Sequence, residues 1–160
     1  MDLPPPPVIP SDTPPAIIKQ MEQPSPVTQD CVDRVSAYYQ VHPLVLSLVA
    51  QVEGGSTGTV AQNSNATSDL GVMQINSIHL QELKKNGITR AMVENNGCLN
   101  LSVAAWYLRE VTAGIQVNSA EDWFRAIARY HSKTEQYNKV YANKLMERYK
   151  AMIEAYNYGS

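Results

Sequence analysis

The sequence has little of what marks metalloproteins, nucleic-acid binders or membrane proteins. Its 160 residues include two cysteines and three histidines, none of them at the short paired spacing of a zinc site. Thirteen Lys and Arg against fifteen Asp and Glu leave no excess of positive charge for a nucleic-acid backbone. No run of about 18 apolar residues is long enough to span a bilayer. We therefore expect no metal ion or other cofactor, no nucleic-acid partner and no membrane span.

Proline is nearly absent from most of the chain, because nine of the ten prolines precede Val27. This first stretch shows neither helical nor strand periodicity. Residues 1–28 are therefore predicted to form a disordered, Pro-rich linker or tail, with a ligand for a partner's aromatic groove as the alternative. Residues 29–160 are predicted to form one domain, since a chain of that length can bury a single core.

From residue 29 onward, apolar residues recur at helical spacing almost throughout. The segment from Leu44 to Glu53 is apolar nearly all round, which is typical of a helix in the centre of a core. Small polar residues from Ser56 to Ser68 predict one long loop with at most a short β-hairpin. The fold class is therefore all-α, with further helices at about 77–86, 89–95, 98–113, 120–131 and 135–156. The last helix is predicted to bury a stripe formed by Tyr137, Val140, Tyr141, Leu145, Tyr149, Met152, Ile153 and Tyr156.

Glu53 is the leading candidate for acid catalysis. The turn before it is apolar, and a helix C-terminus disfavours added negative charge, so both features raise the pKa of its carboxyl group. A carboxylic acid that stays protonated near neutral pH can donate a proton to a glycosidic oxygen. On its own, however, a Glu before two glycines is more often a solvated helix end. The segments that follow it decide between these two interpretations.

Two later segments complete the pattern that Glu53 begins. About twenty residues downstream comes Gly71–Asn76, with the sequence Gly-Val-Met-Gln-Ile-Asn. Its glycine allows close approach of the backbone, Met73 brings apolar surface, and Gln74 offers an amide that both donates and accepts. Such a mixture suits the N-acetyl groups of a sugar. The third piece is Ala128–Ser132, with the sequence Ala-Arg-Tyr-His-Ser.

The order and spacing of these three pieces resemble the soluble lytic transglycosylase family, lysozyme-like enzymes that cut bacterial peptidoglycan. The resemblance covers about Cys31 to Ser132 and is closest to the small members that accompany type IV secretion, conjugation and pilus machines. It implies a lysozyme-like helical domain in the periplasm, with glycan strands as substrate and secretion or conjugation subunits as partners. The chain begins without the basic-then-apolar pattern of a signal peptide, so we expect that the signal of an exported protein has been removed or replaced.

The resemblance implies a role for five residues. Glu53 takes the position of the catalytic acid, and Met73 and Gln74 those of residues that line the sugar cleft. Tyr130 is expected to form a hydrogen bond near the acid. Asn65 stands where other members carry Ser or Asn near the reacting sugar.

The chain departs from the family pattern at two places. Many members have Asn-Gly-Ser where this chain has Asn65-Ala66-Thr67, and many have Tyr-Asn-Ala where it has Tyr130-His131-Ser132. Tyr-His-Ser also occurs among secretion-associated members. We therefore interpret His131 as a structural residue rather than a catalytic one.

The resemblance also implies a reaction that needs only one acid. The C6 hydroxyl of N-acetylmuramic acid attacks its own anomeric carbon and leaves a 1,6-anhydro sugar, which makes the enzyme a carbon–oxygen lyase. Most glycoside hydrolases use a second carboxylate, and Asp69 is the only nearby candidate. We favour a role for Asp69 in capping backbone N–H groups of the turn before Gly71. The alternatives are a hydrolytic muramidase that uses Asp69 and a non-catalytic glycan-binding scaffold of a secretion apparatus.

The two cysteines, Cys31 and Cys98, each stand at the start of a predicted helix. Their positions in the sequence are equally consistent with two buried free thiols and with a disulfide bond. The extracytoplasmic location that the resemblance implies favours a disulfide between them.

Overall fold

The computed structural model describes residues 2–159. Within that range the chain forms eight α-helices, two 3₁₀ helices and one small sheet. The α-helices are α1 (Pro15–Met21), α2 (Gln29–Tyr39), α3 (Pro43–Glu53), α4 (Leu80–Lys85), α5 (Arg90–Asn95), α6 (Gly97–Thr112), α7 (Ala120–Ile127) and α8 (Glu135–Gly159). The 3₁₀ helices are Ser77–His79 and Ala128–Tyr130, and the strands are β1 (Val60–Gln62), β2 (Ser68–Leu70) and β3 (Ile75–Asn76). The mainly helical class predicted from the sequence is confirmed.

The core gathers around α3 and α6, the two helices with the most continuous apolar sequence. Leu46, Leu48 and Val49 of α3 are at most 2 % exposed. Helix α2 packs against α6, and α8 packs against α3. Gly54, in the left-handed conformation at φ 69°, ends α3 and leaves Glu53 as its last residue. A helix that is apolar nearly all round is covered by the rest of the domain. α3 therefore passes through the core, and Glu53 at its end is only partly buried.

The sheet contains one strand more than the hairpin expected from the sequence. β1 pairs antiparallel with β2, and β2 pairs antiparallel with β3, with Asp69 opposite both Ala61 and Asn76. β3 is only two residues long, too short to show the alternation that identifies a strand in a sequence. The extra strand joins the Gly71–Asn76 segment to the loop that precedes it.

A disulfide between Cys31 and Cys98 joins α2 to α6, with the two Cα atoms 5.7 Å apart. The side chain of Thr28 caps α2 by accepting from the N–H of Cys31 at 3.1 Å. The disulfide favoured by the resemblance is confirmed, and the alternative of two free thiols is wrong.

The N-terminal segment contains more structure than its proline content predicted. α1 begins at Pro15, where proline fits the first turn of a helix. The N–H of Ile9 donates to the carbonyl of Asn86 at 2.8 Å, and the Tyr39 hydroxyl donates to the carbonyl of Pro5 at 3.1 Å. The prediction of a disordered N-terminal segment is therefore corrected. Sequence periodicity missed these contacts because the segment takes its hydrogen-bond partners from the body of the domain.

A second attachment lies close to the predicted boundary at residue 28. Ser25 forms a parallel bridge with Asn96, and the N–H of Gly97 donates to the Ser25 carbonyl at 2.7 Å. A Cβ atom at Gly97 would lie 2.7 Å from the backbone nitrogen of Val27. Glycine is therefore needed for this close packing at the start of α6. The division of the chain into residues 1–28 and 29–160 stays a prediction.

The stripe predicted on α8 is only partly buried. Tyr141 and Leu145 lie in the core, whereas Tyr137, Val140 and Tyr156 are 55 %, 55 % and 76 % exposed. Helical spacing identifies a face of a helix but not how much of that face the domain covers. α8 is also the longest helix, and neither it nor any other helix described here is long and apolar enough to cross a membrane.

Candidate active site

A cleft of about 330 Å³ lies where the sheet faces the helices. We define its helical side as the cleft-lining residues carried by α3, α6 and the segment after α7, namely Glu53, Tyr107, Tyr130 and His131. We define its sheet side as the polar residues carried by the strands and the turn between β1 and β2, namely Asn63, Asn65, Thr67, Asp69 and Asn76. Gln74 also lines the cleft. The structure thus brings Glu53, Asn65, Gln74 and Tyr130 together, as the resemblance implied.

Glu53 is held by a tyrosine that the sequence analysis did not assign to the site. The hydroxyl of Tyr141 donates to the Glu53 carboxylate at 2.6 Å. Burial raises the pKa of Glu53. The Tyr141 hydrogen bond and the charge of Lys144 oppose this rise, while the charge of Asp69 adds to it. The pKa of Glu53 is raised overall, so its proton is retained to a higher pH than in an exposed glutamate.

His131 supports Tyr141 by ring stacking. The two rings are 4.9 Å apart between centroids and only 6° from parallel. Burial lowers the pKa of His131, and the nearby charge of Lys144 lowers it further, against the charge of Asp69. Since the ordinary pKa of histidine is about 6.5, the stacked imidazole is neutral at pH 7.

Tyr130 forms its hydrogen bond with the Gly71–Asn76 segment, beside the acid. Its hydroxyl donates to the backbone carbonyl of Met73 at 2.6 Å, and the ring is 8 % exposed. The side chain of Met73 is fully buried and does not line the cleft. Tyr130 thus forms its hydrogen bond within the cleft, while Tyr141 forms the one to the acid itself. Met73 contributes its carbonyl group rather than an apolar surface.

Asn100 on α6 holds the Gly71–Asn76 segment in place by hydrogen bonds. The sequence analysis gave it no role. Its Nδ2 group donates to the carbonyls of Leu70 and Val93 at 2.9 and 2.8 Å, and its Oδ1 atom accepts from the N–H of Met73 at 2.8 Å. The side chain is 1 % exposed. One buried amide thus satisfies three backbone groups that would otherwise be left unpaired. A single Asn inside an apolar helix is the sequence signal that could have revealed it.

Two glycines allow Gln74 to enter the cleft. A Cβ atom at Gly71 would collide with the Asn100 side chain, and one at Gly55 would collide with the Gly71 carbonyl. Gln74 has the left-handed φ of 53° and donates from Nε2 to the Gly71 carbonyl at 2.9 Å. A non-glycine residue in this conformation costs on the order of 1 kcal/mol or more and is common at functional sites. The backbone therefore fixes where the Gln74 amide points.

The sheet side is organised by side-chain hydrogen bonds. Asn65 is exposed, and its Oδ1 atom accepts from the Thr67 hydroxyl at 2.6 Å. Asn76 donates from Nδ2 to Thr67 Oγ1 at 3.2 Å and to the Asp69 carboxylate at 3.0 Å. Asp69 lies within β2 and accepts from a side-chain amide, so the prediction that it caps backbone N–H groups in a turn is wrong. Its carboxylate faces the cleft instead.

Two further aromatic residues, His79 and Tyr107, line the cleft, and the sequence analysis did not assign them to the site. The rings of His79 and Tyr107 are 4.5 Å apart between centroids, and Tyr107 in turn lies 5.6 Å from Tyr130. Burial lowers the pKa of His79. Tyr107 is half-buried and presents its ring to the cleft. Rings of this kind stack on the apolar faces of sugars.

Comparison with known proteins identifies the family that the chain resembles. The family described as "Transglycosylase SLT domain" matches residues 30–160. The invasion protein IagB of Salmonella typhi is 28 % identical over 130 residues, which cover 78 % of this chain and 78 % of that protein. The protein IpgF of Shigella flexneri is 33 % identical over 82 residues, which cover 51 % of this chain and 54 % of that protein.

Proposed function

The chain belongs to the transglycosylase SLT domain family, and from that premise we propose that it is a lytic transglycosylase that leaves 1,6-anhydro ends. Its substrate is peptidoglycan, as the family implies. The bond cut is the β-1,4 linkage between N-acetylmuramic acid and N-acetylglucosamine. The observation that carries the proposal is the half-buried Glu53 carboxyl group, which lies in the cleft with a raised pKa and a hydrogen bond from Tyr141.

Glu53 acts first as an acid and then as a base. It gives its proton to the glycosidic oxygen as the bond from that oxygen to the anomeric carbon breaks. The C6 hydroxyl of the same muramic sugar then attacks the anomeric carbon, and the ionised Glu53 removes the hydroxyl proton. The carboxyl group is restored, and no water molecule is consumed. Tyr141 orients the carboxyl group and stabilises its ionised form between the two steps.

Asp69 supports the reaction through its charge. Among the residues that the structure describes, its carboxylate accepts a hydrogen bond from Asn76 and none from Glu53. Its negative charge raises the pKa of Glu53 and favours the positive charge that develops at the anomeric carbon in the transition state. A second carboxylate as nucleophile is not needed, because the substrate supplies its own hydroxyl group.

The setting we propose is the periplasm, where the enzyme opens the wall locally for a secretion, conjugation or pilus machine. The similarity to a protein described as an invasion protein supports this setting. So does the Cys31–Cys98 disulfide, because such bonds persist in oxidising compartments. Subunits of the machine are the proposed protein partners.

Mass analysis of the fragments released from purified peptidoglycan tests the reaction. We expect muropeptides with anhydro ends, each lighter by one water than the hydrolysis product. Reducing ends would support a hydrolytic muramidase, and Asp69→Asn should then lose as much activity as Glu53→Gln. Binding to peptidoglycan without any fragment release would support the glycan-binding scaffold.

A further inference from the structure

A second cavity, of about 200 Å³, adjoins the cleft on the α8 side. Glu53 and His131 line both cavities. The second one is otherwise lined by α8 and the end of α3, with Tyr137, Val140 and Lys144 among its residues. Because the two cavities share Glu53, the second cavity lies beside the bond that Glu53 is proposed to cut.

The surface of this second cavity combines apolar contacts with positive charge. Tyr137 and Val140 are each 55 % exposed, although they belong to the stripe of α8 that the sequence predicted to be buried. Lys144 follows on the same helix face, and it also lines a third cavity together with Arg148 and Glu147. Within residues 2–159, these three charged side chains form no ion pair. The stripe therefore offers apolar contacts followed by an excess of positive charge.

The geometry points to a binding site on α8, formed by Tyr137, Val140, Lys144 and Arg148, for the peptide stem of the muramic acid at the bond being cut. This inference rests on the proposed function. The stem is attached to the lactyl group of N-acetylmuramic acid, so it leaves the glycan at the sugar that reacts. Stem peptides carry small apolar side chains and free carboxylates, which match the two parts of the stripe.

Binding of a peptide stem would account for the position of Lys144, which the proposed reaction does not require. Beside a catalytic acid, a permanent positive charge is unfavourable, because it favours the ionised form of Glu53. A stem carboxylate paired with Lys144 would offset that charge when substrate binds. The enzyme would then prefer glycan with peptide stems over bare glycan.

Binding measured in the Glu53→Gln background tests the site without any influence of Lys144 on the acid. The probes are soluble glycan oligomers of one length, either with their peptide stems or after removal of the stems by an amidase. We expect the stem-bearing oligomer to bind about tenfold more tightly, which corresponds to about 1.4 kcal/mol. Adding Lys144→Gln should remove most of this difference, Arg148→Gln should remove part of it, and Lys144→Arg should retain it.

Lys150→Gln is the matched control, because Lys150 is exposed on the same helix and lines none of the three cavities. It should leave both affinities unchanged. Equal affinity of the two oligomers would overturn the inference, and so would a preference that survives Lys144→Gln with Arg148→Gln. Fragment release by the parent enzyme is read separately: its absence would refute the proposed reaction, whereas a lost binding preference with normal release would refute only the α8 site.

Discussion

The two sides of the cleft are built in different ways. On the helical side, hydrogen bonds join residues far apart in the sequence: Glu53 and Tyr141 are separated by 88 residues, and Met73 and Tyr130 by 57. On the sheet side they are local, since Asn65 and Thr67 are separated by two residues, and Asn76 lies seven residues from its partner Asp69. The acid therefore depends on packing between distant helices, whereas the sheet-side amides depend on one turn and on neighbouring strands.

This difference bears on one of the two places where the chain departs from the family pattern. Asn65-Ala66-Thr67 lies on the sheet side, where Ala66 adopts the left-handed φ of 67° that glycine usually takes. A local turn can absorb such a change through its own hydrogen bonds. Changes on the helical side should instead alter both catalysis and folding, and the following predictions test that contrast.

The largest effect is expected for Glu53→Gln, which should reduce muropeptide release by about 1,000-fold or more because the amide cannot transfer a proton. The same substitution should increase the stability of the protein at high pH. Since the pKa of Glu53 is raised in the folded protein, the folded state binds this proton more tightly, and ionisation at higher pH costs stability. Below about pH 4 the variant and the parent should have the same melting temperature. At about pH 8 the variant should melt at the higher temperature. A lower melting temperature at pH 8 would contradict this assignment.

Reduction of the Cys31–Cys98 disulfide should produce the next largest effect. A bridge that spans 67 residues contributes about 4 kcal/mol in the loop-entropy account. We expect a lower melting temperature with reductant, measured by circular dichroism, and no free thiol in the oxidised protein. The Cys31→Ala, Cys98→Ala variant is the control and should melt at one temperature with or without reductant. Identical melting of the parent in both conditions would contradict the prediction.

Asn100→Ala should break the connection between α6 and the cleft. It leaves the N–H of Met73 and the carbonyls of Leu70 and Val93 without their partner, at a cost of about 3 kcal/mol. Urea unfolding should show this loss, and activity should fall even at temperatures where the variant is folded. Asn143→Ala, at an exposed position of α8, is the control and should change stability by less than about 0.5 kcal/mol. Full activity in folded Asn100→Ala would show that the segment holds its shape without α6.

Tyr141→Phe should lower kcat by about tenfold to a hundredfold, because the acid loses the group that orients it. The pH profile gives a readout that lost packing would not move. The Tyr141 hydrogen bond lowers the pKa of Glu53, so its removal should raise that pKa. The active form is protonated, and the alkaline limb of kcat/KM should therefore move to higher pH. Tyr149→Phe, which keeps the aromatic contacts with Trp123 and Phe124, should leave the profile in place.

The smallest effect is expected on the sheet side, from Asn65→Ala. Loss of one exposed amide should raise KM a few-fold, with kcat and the melting temperature nearly unchanged. Steady-state rates on soluble glycan and a thermal melt measure both quantities. A large fall in kcat would show that this side takes part in the chemistry, and the contrast between the two sides would be lost.

The sequence was sufficient for what depends on local pattern. The apolar run before Glu53 and the helical spacing of residues 98–113 predicted α3 and α6. The family resemblance supplied the site residues and the disulfide. The sequence was not sufficient for contacts between distant residues, such as those of Asn100 and Tyr141, because helical periodicity identifies a buried face and not the group it meets. The same limit explains why the N-terminal segment, without a pattern of its own, was predicted to be disordered.

The distance in sequence between Glu53 and Tyr141 also sets an order in time. A ribosome makes the acid long before it makes the hydroxyl group that orients it, and the earlier parts of a chain begin to fold first. Until α8 packs against α3, the cleft lacks Tyr141 and the shared surface with the second cavity. If Glu53 is the acid, we therefore expect newly made or partly folded chains to be much less active towards glycan than chains in which the last helix is in place.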